Sequence, residues 1–412
     1  MPDFRKDSAA PRPTHLNAGN ILFLASAAAV ATSTSYTVQP EIRVIAADLD
    51  ASLSATSAAA GLPILGYMLG LALLVPLVDR VRAYVLVPAQ LVALAGTLVL
   101  TSVANTVVVF GTGLFLSGVC ASTGAQMSTL AAKHSPPDRQ GRALGCVTAG
   151  ISAGILFGRM IGGGLTDLVG WRAMLLLVAV ACVLCAVVGR AVLPRHIERQ
   201  SGSWLSGLLS APRLLRTHPD LLVTSAAGAL WFFAFSLVWV GVSLALSLPP
   251  HGLSPTTVGL YSLAGAAGMA ATPLAGRLAD RFGARPIVLT GLALALACTL
   301  AMTPALGLAP LLLIALALFD AGLFGAQVAN QSRVLNINPL QPAQLNSTYM
   351  VIYFVGGSLG AAAGGPIVSS LGWPIAAGVA ALAILLALGL YVPRRRLPLA
   401  RSAEAGAPSV GE

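Results

Sequence analysis

Asp320 is the one carboxylate near the middle of any long apolar run in this chain, and Arg159 is the one basic residue inside such a run. Each costs at least ~2.5 kcal/mol at the centre of a bilayer unless it is paired or wet, so each needs a chemical reason to be there. Asp320 can bind a proton or cation, which would make it a coupling site; the plainer alternative is a permanently ionised partner for a buried Arg or for helix amides. Arg159 can pair with Asp320 or hold an anionic cargo, or it can simply satisfy backbone carbonyls. Uncharged polar groups extend the candidate set. Gln126 and Gln327 lie 201 residues apart, Asn330 and Gln331 follow one turn on, and Tyr36 and Gln39 sit toward the end of the first apolar run. Trp231, Phe235 and Trp239 recur every four residues, a stripe that can stack on a flat organic molecule or face lipid at the membrane boundary.

Other chemistries lack their residues. All five His (His15, His134, His196, His218 and His251) fall in tails or loops, which leaves no buried His for a metal cluster, a catalytic dyad or a proton relay. No Gly-rich phosphate loop with a Lys occurs. The expectation is therefore no enzyme, no cofactor and no metal. The five Cys lie in or beside apolar runs, and Cys182-x-x-Cys185 reads as packing in an apolar helix.

These residues must be positioned by membrane helices. Hydrophobic residues make up 56% of the chain and charged ones 9%, so most of it needs a solvent other than water. Twelve apolar runs fall at roughly 18–40, 55–78, 84–104, 107–132, 143–165, 172–193, 221–247, 256–278, 286–304, 309–332, 346–369 and 374–393, each near the ~20 residues a spanning helix requires. Their uniform apolarity argues against the alternating strands of a membrane barrel. The expected fold is all-α, with twelve transmembrane helices.

The chain is also duplicated. Gly276-Arg277-Leu278-Ala279-Asp280-Arg281-Phe282-Gly283-Ala284-Arg285 has a degraded copy at Pro76-Leu77-Val78-Asp79-Arg80-Val81-Arg82. Gly154, Gly158, Gly162, Gly163, Gly170 and Trp171 recur as Gly356, Gly360, Gly364, Gly365, Gly372 and Trp373, every pair 202 apart. Two pseudo-symmetric six-helix bundles follow, the plan of a secondary transporter. The expected division is an N-terminal tail (1–17), a first bundle (18–193), a linker (194–219), a second bundle (220–393) and a C-terminal tail (394–412). Around Trp204 to Leu215 the linker reads either as a short amphipathic helix on the membrane or as irregular chain.

The net charge of +10 does not indicate nucleic acid, because of where the basic residues sit. Of 24 Lys and Arg, 21 lie in the tails or in every second gap between runs, which places both termini and the linker in the cytoplasm.

The ten-residue loop signature resembles that of the major facilitator superfamily. Tyr36-Thr37-Val38-Gln39-Pro40, Gly154-Ile155-Leu156-Phe157-Gly158-Arg159, Gln327-Val328-Ala329-Asn330-Gln331 and Leu345-Asn346-Ser347-Thr348-Tyr349-Met350 are similar to its bacterial efflux permeases of the arabinose-efflux or multidrug type. The resemblance implies a multi-pass protein of the bacterial inner membrane, monomeric, exporting a small amphipathic compound by alternating access and proton antiport. It departs from the pattern at Val75 and Arg82, where Gly is usual, and at Leu114, where many proton-coupled exporters carry Arg. Import or facilitated exchange of a sugar or organic acid is the alternative, and a non-transporting receptor a remote one.

The resemblance also implies a gate. Asp79 with Arg80 would latch the bundles on the cytoplasmic side, while Gly276, Asp280, Arg281, Gly283 and Arg285 form the complete copy, whose Asp280 serves chiefly its own bundle. Merely fixing topology is the alternative for both acids. Gly66, Gly70, Gly154, Gly158, Gly162, Gly356, Gly360 and Gly364 make small faces, expected to slide at the bundle interface by pairing helix 2 with 11 and 5 with 8. Static packing within one bundle is the alternative for each.

Overall fold

The computed structural model describes residues 17–136, 139–193, 211–338 and 341–391, with the side chains of Asp79 and Ala343 excepted. The expected tails, except Asn17, Arg394-Arg395-Arg396 and the first part of the linker fall outside these residues. Among the described residues all regular structure is helical. We number the spanning segments α1 (Ala18–Ser33), α2 (Leu53–Leu73), α3 (Ala83–Ser102), α4 (Val107–Ala121, resuming as Thr123–His134), α5 (Gln140–Val169) and α6 (Trp171–Val192). The second set is α7 (Pro219–Ser247), α8 (Pro255–Leu260, resuming as Gly265–Phe282), α9 (Ala284–Ala305), α10 (Ala309–Ile337), α11 (Pro342–Leu371) and α12 (Trp373–Tyr391). Among the described residues, eleven of these spans are long and apolar enough to cross a membrane, and α1 is a shorter apolar helix.

The first apolar run is not one continuous helix. Asn17 caps its start by accepting from the Asn20 amide at 2.8 Å, but regular winding stops at Ser33. The Ser33 and Thr34 hydroxyls there donate back to the carbonyls of Val30 and Ala31, both at 2.8 Å, and such side-chain bonds compete with the helical ladder. Turns carry the chain to Glu41, and a short helix follows at Ile42–Asp48. Irregular backbone at membrane depth requires burial in protein, and Thr34, Ser35, Thr37, Val38, Gln39 and Pro40 are indeed buried. Tyr36 and Gln39 therefore project from a turn, not from a helix. A second break, the 3-10 turn Tyr261–Ala264, divides α8.

Glycine recurs where the backbone needs it. Gly170, Gly283 and Gly372 have φ of 85°, 87° and 82°, in the left-handed region that disfavours any Cβ. Gly170 and Gly372 immediately precede Trp171 and Trp373, so one tight corner is built twice.

The structure corrects the role expected of the glycine faces. A Cβ on Gly154, Gly158 or Gly162 would lie within 3.0 Å of Ala29, Ser33 or Thr37, all on α1 or just beyond it, and one on Gly356, Gly360 or Gly364 within 3.0 Å of Ala229, Phe233 or Leu237 on α7. Gly66 and Gly70 meet Phe115 and Val119 of α4 in the same way. These eight glycines join helices within a bundle, because the Cβ-less stripe lets backbones pack at van der Waals distance.

The helix pairs 2 with 11 and 5 with 8 do form, but through other small residues. A Cβ on Gly163 would sit 2.1 Å from the Pro255 carbonyl oxygen of α8, one on Gly365 2.0 Å from Ser57 Cβ of α2, and one on Gly61 2.9 Å from Ala361 Cβ of α11. In each adjacent pair, Gly162-Gly163 and Gly364-Gly365, the first glycine serves its own bundle and the second the opposite one. Hydrogen bonds join the bundles at the same end: Arg43 Nη1 donates to the Ser247 carbonyl at 2.6 Å, and the Thr256 amide to Asp167 Oδ2 at 2.9 Å. This closed end carries the α1–α2 and α7–α8 connections. At the opposite, linker end, Gly141 and Gly145 of α5 face open space.

Candidate functional site

The break after α1 delivers two polar side chains to Arg159. Gln39 Oε1 accepts from Arg159 Nε at 2.8 Å, and the guanidinium lies 4.9 Å from the Tyr36 ring centroid. On its other side the same guanidinium stacks 4.3 Å from the Trp239 ring of α7. Trp239 Nε1 in turn donates to Asp320 Oδ1 of α10 at 3.1 Å. Arg159 and Asp320, 3% and 2% exposed, are thus linked through an indole and do not form the direct ion pair the sequence left open. The contact of Arg159 with Trp239 crosses the bundle interface, so the base belongs to one half and the acid to the other.

The other oxygen of Asp320 is directed toward α8. This Oδ2 lies 3.3 Å from where a Cβ of Gly265 would stand, at the resumption of α8 after its 3-10 turn. Both Arg159 and Asp320 line a void of about 10 Å³ with Ser152, Ser262 and Phe324, near the smallest volume that admits one water. The void thus brings room for one water beside a buried carboxyl.

Beyond Phe235 and Phe324, which line both spaces, lies a cavity of about 140 Å³. Tyr36, Trp231, Phe232, Gln327, Tyr353 and Phe354 complete most of its wall. The Phe232 and Tyr353 rings stack at 4.2 Å with 4° between planes, and Tyr67 meets Phe354 across the bundles at 5.2 Å. Gln327 Oε1 accepts from the Tyr349 hydroxyl at 2.6 Å. The volume is close to the ~150 Å³ that receives a single benzene ring in an apolar protein interior.

The expected stripe on α7 faces neither lipid nor headgroups, since Trp231, Phe235 and Trp239 are all buried. Three other candidates are placed elsewhere. Gln126 donates to the Leu74 carbonyl at 2.8 Å and to Gln90 Oε1 at 2.9 Å, tying α4 to its own bundle. Asn330 donates to the Thr224 carbonyl at 3.0 Å and accepts from the Tyr391 hydroxyl, and Gln331 donates to Asn346 at 3.0 Å. Gln126 and Asn330 turn to groups of their own bundle, while Gln331 lies one turn beyond Gln327 on nearly the same face of α10 and is held by Asn346 of α11. The aromatic groups of α11 were missed, although Tyr349, Tyr353 and Phe354 stand at helical spacing.

Of the loop motif, Asp280 and Arg281 are exposed, with Arg281 against Phe282. Asp280 lines an open pocket of about 490 Å³ with Asp220 and Arg333, all residues of the second bundle. Arg285 donates to the Tyr391 carbonyl at 2.7 Å, pinning α9 to α12.

Trp239→Phe tests the link between the halves. It removes the donor that Asp320 holds and leaves a buried acceptor unmet, which costs about 1–3 kcal/mol. A lowered melting temperature in detergent is expected, and an unchanged one would mean that the indole bond contributes nothing.

A duplicated twelve-span bundle, pinned together at one end around a small cavity at the interface of its halves, defines a secondary transporter. The sequence profile of the Major Facilitator Superfamily matches residues 21–341, and the chain belongs to that superfamily. It is 32% identical over 364 residues to the "Probable transporter SCO4007" of Streptomyces coelicolor, covering 87% of this chain and 83% of that one. It is 28% identical over 363 residues to the "Uncharacterized transporter YgaY" of Escherichia coli O157:H7, with 88% and 91% covered. Among solved structures, a bacterial homolog of the human lysosomal transporter Spinster, in an inward-facing and unoccupied conformation, superposes with a TM-score of 0.73 at 15% identity, over 90% of this chain and 95% of that one. The nucleoside transporter NupG does so with 0.73 at 13%, over 90% and 99%. At these identities the two structures speak for the fold alone.

Proposed function

We propose that this protein exports a small, flat, amphipathic organic compound across a bacterial inner membrane, by alternating access coupled to proton antiport. The observation that carries the reading is the Arg159–Trp239–Asp320 series beside an aromatic cavity. Trp231, Phe232, Phe235, Tyr353 and Phe354 offer ring faces to cargo, and Gln327 a polar anchor. Asp320 sits behind Phe235 and Phe324, close enough for its charge to act on the cavity yet outside it. A proton on Asp320 changes the field at Arg159 through the indole between them, and Arg159 belongs to the opposite bundle. That is a physical route from protonation to relative motion of the halves.

The distribution of Lys and Arg supports cytoplasmic termini, in which case the pinned end faces outward and the captured state is open to the cytoplasm. Asp79 would latch the alternate state, and a monomer suffices. The test is accumulation of labelled candidate compounds in cells, with and without an uncoupler. Export predicts low accumulation that rises when the proton gradient is collapsed. Accumulation that instead falls with the uncoupler would reverse the direction and make the protein an importer.

A further inference from the structure

Glu41 is fully buried, and no protein donor reaches either of its carboxyl oxygens. It occupies the turn between the broken end of α1 and the helix Ile42–Asp48, at the end where the bundles are pinned. The Thr166 hydroxyl of α5 lies beside it, outside hydrogen-bond geometry but near enough to favour the ionised form, an effect smaller than that of burial; the hydroxyl is itself buried and has no other partner. The next residue, Asp167, adds a like charge and accepts the Thr256 amide across the bundle interface at 2.9 Å. The nearby charges of other elements are committed elsewhere. Arg43 donates to the Ser247 carbonyl of α7, and Arg172 of α6 pairs with Asp48. α2, which packs on the Ile42–Asp48 helix, carries no charged side chain. A fully buried ionised carboxylate with one neighbouring hydroxyl, no cation and an acid for a neighbour is disfavoured in such a place, because burial outweighs what the hydroxyl returns.

We propose that Glu41 is a second proton-binding site, one that sets the closure of the pinned end: closing buries the carboxyl and requires it to hold a proton, while opening admits water and releases it. The proposal rests on the alternating-access reading but not on proton antiport. Glu41 takes and returns its proton on the same face, so it carries no charge across the membrane; it makes gate closure depend on the pH of that face. Because the closed state holds one more proton than the open state, the ratio of closed to open falls as pH rises, by up to about tenfold per pH unit within the titration range.

The experiment is double electron–electron resonance on the full chain in lipid nanodiscs. Nitroxides would be placed at Ala47→Cys and Thr257→Cys, exposed positions on opposite bundles, after replacement of the five native cysteines. Between pH 5 and 9 the closed distance should lose population as pH rises. Glu41→Gln should hold the gate closed throughout, and Glu41→Asp should keep a pH response. Asp320→Asn removes whatever part of the response the Asp320 proton contributes, and the part that is lost in Glu41→Gln should persist in it, which separates the gate from coupling. An unchanged pH profile in Glu41→Gln overturns the proposal, as does a wild-type gate that ignores pH. Failure of uncoupler-sensitive export with the gate response intact would instead remove only the antiport reading.

Discussion

Asp320→Asn is expected to reduce concentrative, pH-dependent transport to background while leaving folded protein and downhill exchange. The substitution is isosteric, and the amide oxygen can still accept from Trp239 Nε1, which in the native protein donates at 3.1 Å. What the amide cannot do is cycle between a charged and a neutral form, so the field at Arg159 is fixed and the proton gradient has nothing to act on. Counterflow of labelled cargo in proteoliposomes, with and without an imposed pH gradient, separates the two activities. If the variant still concentrates cargo with the native pH dependence, coupling runs through another group, and Asp320 is simply the acceptor for Trp239.

Gly163→Ala and Gly365→Ala should disfavour closure of the pinned end. The added methyl would lie 2.1 Å from a backbone oxygen of α8 in the first case and 2.0 Å from Ser57 Cβ in the second, so the halves must move apart. Overpacking of this kind costs typically ~1–3 kcal/mol, a roughly 5- to 150-fold shift between two states. The spin-label distance between positions 47 and 257 should lengthen, and transport should fall in proportion. Gly164→Ala is the control, since nothing lies within 4 Å of its added atom. The neighbouring Gly162→Ala should differ in kind: its methyl would strike the Thr37 carbonyl oxygen inside one bundle at 2.1 Å, and should lower thermal stability while leaving the gate distance unchanged. Equal gate distances for Gly163→Ala and Gly164→Ala would rule out the assignment of Gly163 to the gate.

The mutational contrast between Gly162 and Gly163 marks the boundary of what a sequence holds. Hydropathy, the 202-residue repeat and the loop motif are properties of order along the chain, and a membrane imposes helices on any such run because no backbone group can stay unpaired in lipid. Those features determined twelve spans in two similar halves, and the rarity of charge in apolar runs singled out Asp320 and Arg159. Which neighbour each residue meets depends on rotation about the helix axis, and a change of one residue turns a side chain by about 100°. Gly162 and Gly163 consequently face different bundles, Gln327 lines the cavity while Asn330 turns to Thr224, and Trp239 comes between an acid and a base distant from it in sequence. Glu41 follows an apolar run and looks like an ordinary loop acid in the sequence. Only the break after Ser33, made by hydroxyls bonding back to their own helix, folds that loop inward and leaves the carboxyl buried without a partner.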